Sequence, residues 1–239
     1  MDFYQALSEY YDEIFPLKEA QKRFLKSYVR QESLRSVLDI GCGTGSVAVE
    51  ISKMGVQVLG VDLSEEMINL SQKKAQKAGS NASFSIADMQ DLSTISERFA
   101  GIFCLGNTLA HVSGESDLQQ VLTQFRAKGN HLLVQIVNYD RILAKQVKEL
   151  PLIETHALKF YRYYTYRSDG KIEFAMKLVF PDTGVAISNV NLLYPIQLEL
   201  FKDALFKTGW EITGLWGNYD SDPWTENSPA TILAARSNL

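Results

Sequence analysis

What this 239-residue chain has little of narrows it first. Cysteine occurs twice, at Cys42 and Cys104, far apart in sequence and each in an apolar, strand-like setting. They read as small buried residues, so neither a disulfide framework nor a cysteine metal site is expected. No apolar run is long enough to span a bilayer, and no membrane partner is expected. The opening MDFYQALSEYYDEIF is acidic and aromatic. It lacks the basic start and apolar core of a signal peptide, which predicts a cytoplasmic protein. Concentrated positive charge is missing too. The chain has 24 Lys and Arg against 28 Asp and Glu, a net charge of −4, with the basic residues scattered singly. That disfavours a grip on phosphate backbones, and no nucleic-acid partner is expected. There is no internal repeat and no low-complexity linker.

What is present is the mixture of a soluble globular domain, 46% apolar and 22% charged. Apolar runs of strand length at 36–40, 56–61, 82–86, 101–105 and 131–137 alternate with helical stretches. That rhythm predicts an α/β fold, a parallel sheet with helices on both faces. An amphipathic N-terminal segment (residues 1–30) precedes it, and 31–138 form the main half. After a helix predicted over 139–150 the pattern changes. Segments 156–167, 171–180 and 185–194 alternate apolar and polar, joined by "SDG" and "PDTG" turns. They predict a three-stranded antiparallel insert within 154–196. Residues 197–239 return to helix, strand and strand and complete the sheet.

The stretch "SVLDIGCGTGSVAVEISKMGVQVLGVDLS" carries the chemistry. Gly41, Gly43 and Gly45 fall between a strand end and a helix start, where glycine lets a ligand approach the backbone. Asp62 ends the next strand, where a carboxylate can accept from a ribose diol. A dinucleotide enzyme predicts nearly the same, but its third glycine would stand at position 46, which is Ser46. Asp39 lies inside the first strand end. An acid there is unfavourable beside a pyrophosphate and favourable beside an amino-acid ammonium.

"VLDIGCGTG", "GVDLS" and "ADMQDL" together resemble the cofactor motifs of class I S-adenosylmethionine-dependent methyltransferases. The resemblance implies a Rossmann-like methyltransferase sheet, S-adenosylmethionine as cofactor and S-adenosylhomocysteine as product. It implies that the loop with Asp39, Gly41, Cys42, Gly43 and Gly45 contacts the methionine and ribose part. Asp62 would bind the ribose, Leu63 and Met67 border the adenine, and Asp88 and the Met89 N–H read its edge. "FCLGNTLAHV", "NYDRIL" and the antiparallel insert are similar to the small-molecule branch, nearest the glycine and sarcosine N-methyltransferases. A lid carrying Tyr4 and Tyr11 is part of that resemblance; helical spacing puts the two tyrosines on nearly one face. The plain reading is an amphipathic helix docked on the core.

The methyl group is expected at the carboxyl edge after the fourth strand, at Leu105, Gly106 and Asn107. His111 reads either as a base for the acceptor proton or as a backbone-paired histidine near a helix start. His131 and His156 have no partner visible in sequence. In "KFYRYYTYR", Arg162 with Tyr164, or Arg167 from the other face, would clamp an acceptor carboxylate, with Tyr139 nearby. Exposed aromatic and arginine stacking is the other reading, and alternation alone does not select the face. The Asn/Asp-Pro-Pro-aromatic sequence of nucleobase amine methylation is absent. No carboxylate follows the fourth strand, so no metal is expected. The expected activity is methyl transfer to a small molecule, first an amine or amino-acid-like nitrogen. Alternatives are a hydroxylated aromatic or quinone precursor, a non-catalytic cofactor-binding protein, and a nicotinamide oxidoreductase, the last disfavoured by Ser46.

Overall fold

The computed structural model describes residues 3–237. Two short helices, α1 (Phe3–Glu9) and α2 (Tyr11–Ile14), precede the longer α3 (Glu19–Gln31). The alternating half then runs β1 (Ser36–Ile40), α4 (Ser46–Ser52), β2 (Gln57–Asp62), α5 (Glu65–Ala78), β3 (Ser83–Ile86) and β4 (Phe99–Cys104). A 3-10 turn, Thr108–His111, leads to α6 (Glu115–Lys128) and β5 (Gly129–Val137). Next come α7 (Tyr139–Ala144), β6 (Ile153–Glu154), β7 (Lys159–Tyr166), β8 (Ile172–Phe180) and β9 (Val185–Leu193). The chain closes with α8 (Leu198–Lys207), β10 (Glu211–Trp216) and β11 (Ala230–Arg236). No helix among the described residues is long and apolar enough to cross a membrane.

The main sheet has seven strands in the order β10-β11-β5-β4-β1-β2-β3. Strands β1 to β5 are mutually parallel, and β11 runs antiparallel between β5 and β10. The central strands are apolar on both faces because both are covered. Leu38, Ile102, Leu132 and Leu233 pack with α6 and α8, whereas Val37, Phe103, Leu133 and Ile232 pack with α3, α4 and α5. Strand order reverses between β1 and β4, so their carboxyl ends open the crevice where such sheets bind ligands.

The insert has four strands rather than three, in the order β6-β7-β8-β9. Strand β6 is two residues long, pairing Ile153 with Phe160, too short to show a period in sequence. The expected helix over 139–150 stops at Ala144 because the backbone beyond it is drawn to β7. Leu150 N–H donates to Arg162 O at 3.0 Å, and Tyr164 N–H to Lys148 O at 2.8 Å. Long-range pairing thus overrides local helical preference.

The N-terminal segment departs from expectation in two places. Helix α3 is no lid: Phe24, Leu25, Tyr28 and Val29 are buried in the main core. The chain also breaks between α1 and α2, so Tyr4 and Tyr11 do not share a face. Each short helix serves a different surface. Phe3, Ala6 and Leu7 join Leu158, Phe160, Met176 and Leu178 of the insert, while α2 lies against the glycine loop.

Candidate active site

Between β1 and α4 the backbone turns through Gly41, Gly43 and Gly45 with φ of +67°, +53° and +77°, conformations that glycine adopts without penalty. A side chain at Gly45 would drive into Phe84 and Ser71, so this position is closed by packing as well. Asp62 fixes the loop against β2. Its Oδ2 accepts Gly43 N–H at 2.9 Å and its Oδ1 accepts Ser64 N–H at 3.0 Å. Each oxygen retains a lone pair for a further donor. Cys42 and Cys104 are both free thiols, and burial raises the pKa of each.

Asp39 is buried, and its Oδ2 has no hydrogen-bond partner among the described residues. Burial, with the nearby Asp62 charge, pushes its carboxyl up to about 7. An orphaned carboxylate oxygen beside a glycine cradle is costly unless a cationic donor meets it. This set of acceptors fits an amino-acid ammonium next to a ribose. Beyond the loop, at the ends of β2 and β3, Leu63 is 70% and Ile86 52% exposed. Two bare apolar side chains at adjacent strand ends make a flat seat for an aromatic ring. Met67 is buried behind them, and Asp88 holds Gln90 N–H at 2.9 Å with Met89 between. Ile86 escaped the sequence reading because it looks like any strand-ending residue.

Helix α2 closes the loop from above. The Tyr11 ring packs on Gly43, where an added Cβ would meet it at 3.4 Å. Burial first, then Asp62 and Asp12, push the Tyr11 phenol up to about 12, so it stays protonated. Asp12 Oδ1 accepts from Thr44 Oγ1 at 2.6 Å and Ser46 Oγ at 3.2 Å, and Lys74 Nζ bridges to Asp12 Oδ2 at 2.7 Å. Burial would raise the Asp12 carboxyl, but the hydrogen bonds from Lys74, Thr44 and Ser46 outweigh it and hold it below its ordinary value. Ser46, the residue that breaks dinucleotide spacing, is therefore part of a clamp on the N-terminal segment. Tyr4 sits elsewhere: its hydroxyl donates to Asn191 Oδ1 at 2.7 Å on β9.

After β4, Leu105 is buried and Gly106, at φ +69°, faces open space. Asn107 takes a left-handed φ of +72°, which asparagine tolerates better than most residues. Its amide is turned largely to the protein. Oδ1 accepts Val137 N–H at 2.9 Å, and Nδ2 donates to Tyr139 OH at 3.0 Å. Tyr139 is fully buried, which keeps its phenol protonated. Behind Gly106 stands a chain invisible in sequence. Gly106 N–H donates to Gln135 Oε1 at 2.9 Å, Tyr219 OH to the same oxygen at 3.4 Å, and Gln21 Nε2 to Tyr219 OH at 3.3 Å. No motif connects these positions.

His111 ends the 3-10 turn with its side chain exposed, and crowding by protein lowers its pKa. It is neutral at physiological pH. The other two histidines prove to have partners, His131 with Glu32 at 3.2 Å and His156 with Glu13 at 3.1 Å. The structure also separates the two arginines. Arg167 lies at an exposed hairpin end, tied to Asp169 at 3.2 Å and Glu173 at 2.9 Å. Arg162 lies on the other face with buried Phe160 and Tyr164, its Cζ 5.4 Å from the Phe160 ring centre.

The methyltransferase-domain family matches residues 37–128. A glycine/sarcosine N-methyltransferase from Aphanothece halophytica is 24% identical over 91% of this chain and 83% of its own length. A solved S-adenosylmethionine-dependent methyltransferase from Clostridium acetobutylicum superposes with a TM-score of 0.84 at 15% identity, covering 98% of both chains. An S-adenosylmethionine-bound amino pentose methyltransferase from Micromonospora echinaspora gives a TM-score of 0.69 at 16% identity, covering 99% of this chain and 98% of its own. Residues 37–128 thus carry a methyltransferase domain, the whole fold is that of S-adenosylmethionine-dependent methyltransferases, and S-adenosylmethionine is the cofactor with S-adenosylhomocysteine as product.

Proposed function

We propose that the enzyme methylates the nitrogen of a small-molecule amine. The observation that carries this reading is the closure of the site. Helices α1 and α2 strap across from the glycine loop to the insert, a covering that favours a small acceptor over a polymer. The likeness to a glycine/sarcosine N-methyltransferase over most of both chains supports nitrogen as the acceptor atom.

When bound, the sulfonium cofactor supplies an electrophilic methyl group. The residues of this chain then have distinct tasks. Asp39 holds the ammonium, and Asp62, fixed by Gly43 and Ser64, holds the ribose. Leu63, Ile86 and Met67 seat the adenine, with Asp88 and Met89 at its edge. Gly41, Cys42, Gly43, Gly45 and Tyr11 enclose the remainder and keep water out. Leu105 and Gly106 border the transferred group; Asn107 and Tyr139 act by holding that turn rather than by direct contact. Arg162 and Tyr164 face the acceptor from the insert. His111, neutral at physiological pH, accepts the proton that the nitrogen releases.

The test is an acceptor screen read by S-adenosylhomocysteine release, with small amines, amino acids and hydroxylated aromatics in parallel. Turnover on amines, falling in acid as His111 protonates and losing that acid limb in His111→Gln, is expected. Turnover confined to hydroxylated aromatics would reassign the acceptor to oxygen.

A further inference from the structure

Three buried side-chain polar atoms lack a hydrogen-bond partner among the described residues: Asp39 Oδ2, Arg141 Nε and Arg162 Nε. The first belongs to the cofactor side. The other two come from α7 and β7. Arg141 is in α7, two residues after Tyr139, whose hydroxyl meets Asn107 at the β4 turn. Arg162 projects from the β7 face that packs on α7, where Tyr166 OH donates to Ile142 O at 3.1 Å and Val147 O at 2.6 Å. Tyr164 is buried and lies within electrostatic reach of both guanidinium groups.

Neither arginine has a carboxylate partner among the described residues. Arg162 Nη2 donates only to the Pro151 carbonyl, at 2.6 Å, and stacks on Phe160. Arg141 makes no side-chain hydrogen bond to any described residue. Two half-buried guanidinium groups, each with its Nε out of water and with no acid beside it, are arranged to receive anionic charge. A single carboxylate offsets one of them. Full compensation needs two negative charges, and guanidinium forks match phosphate and carboxylate oxygens in pairs.

Resting on the methyl-transfer reading above, we propose that the acceptor carries two negative charges, as a phosphate monoester or a pair of carboxylates, held by Arg141 and Arg162 beside Tyr164. Arg141 is then a specificity residue that the sequence motifs did not reveal. The carboxyl edge of β4 receives the nitrogen, while the two arginines hold the opposite end of the molecule.

The experiment uses the whole chain saturated with S-adenosylhomocysteine and probes it at pH 8 with malonate, inorganic phosphate, acetate and chloride at equal ionic strength. Calorimetric affinity is the readout. Malonate or phosphate is expected to bind about tenfold or more tighter than acetate. The stronger of the two identifies paired carboxylates or phosphate as the source of the charge. Arg141→Met, which breaks no hydrogen bond, and Arg162→Lys, which keeps one charge but loses the fork, are each expected to erase most of that preference. Affinity for S-adenosylhomocysteine should be unchanged. Acetate binding as tightly as the dianions, or a preference that survives both substitutions, overturns the proposal. Failure of the wild type to bind S-adenosylhomocysteine would instead overturn the methyl-transfer reading on which it rests.

Discussion

A single buried oxygen, Asp39 Oδ2, couples the site to pH. Because its folded-state pKa is about 7, above the ordinary 3.8, the ligand-free protein binds more protons there than the unfolded chain does. The stability this contributes is full below about pH 4 and is lost as pH rises through about 7, up to about 4 kcal/mol in all. Asp39→Asn should therefore flatten the pH dependence and make the ligand-free enzyme more stable than wild type at pH 8, as read by urea unfolding at pH 5 and 8. A variant that stays as pH-dependent as wild type would show that another group carries the effect. The same residue scale governs Asp62. Its replacement by Ala removes the proposed ribose acceptor and leaves Gly43 and Ser64 N–H groups unpaired, so cofactor affinity should fall at least tenfold.

At the scale of elements, the N-terminal strap is fastened at both ends. Asp12 holds it to Thr44, Ser46 and Lys74, and Tyr4, Glu13 and Phe15 hold it to Asn191, His156 and Phe160 of the insert. The Asp12–Lys74 pair is half exposed, so its worth is screened to about 1 kcal/mol. That is enough to alter opening. Asp12→Asn and Lys74→Met should each speed dissociation of S-adenosylhomocysteine about fivefold in stopped-flow displacement. Unchanged rates in both would place the closing contact elsewhere.

Helices and strands of the main sheet were legible in the sequence because buried parallel strands read as continuous apolar runs between helical stretches. The cofactor loop was legible because its glycines and acids are local in the chain. The strap was only half legible. Its clamp joins Asp12 to Lys74, residues 62 apart, and no local pattern announces such a pair. The same holds for Gln21, Gln135 and Tyr219, which come from three separate segments. The face of β7 that turns inward was undecidable from alternation, since aromatic residues and arginine occupy both faces. Docking on α7 decides it, through Tyr166 and the Ile142 and Val147 carbonyls. Strand β6, two residues long, has no period to read.

At the scale of the whole molecule, two layers of core hold the seven-stranded sheet rigid, and the insert and strap roof the crevice between β1 and β4. A packed floor with acids at fixed points, covered by a strap held largely by polar contacts, suits a transfer reaction that must exclude water. The measurement that tests this most directly is calorimetric titration with S-adenosylhomocysteine in buffers of different ionisation heat near pH 7, on wild type, Asp39→Asn and Asp62→Ala. Binding should ionise Asp39 against the ligand ammonium and release a proton from the wild type. Asp39→Asn should release none, and Asp62→Ala should bind weakly but still release it. Binding with no proton release from the wild type, or indifferent to both substitutions, would contradict the site described here.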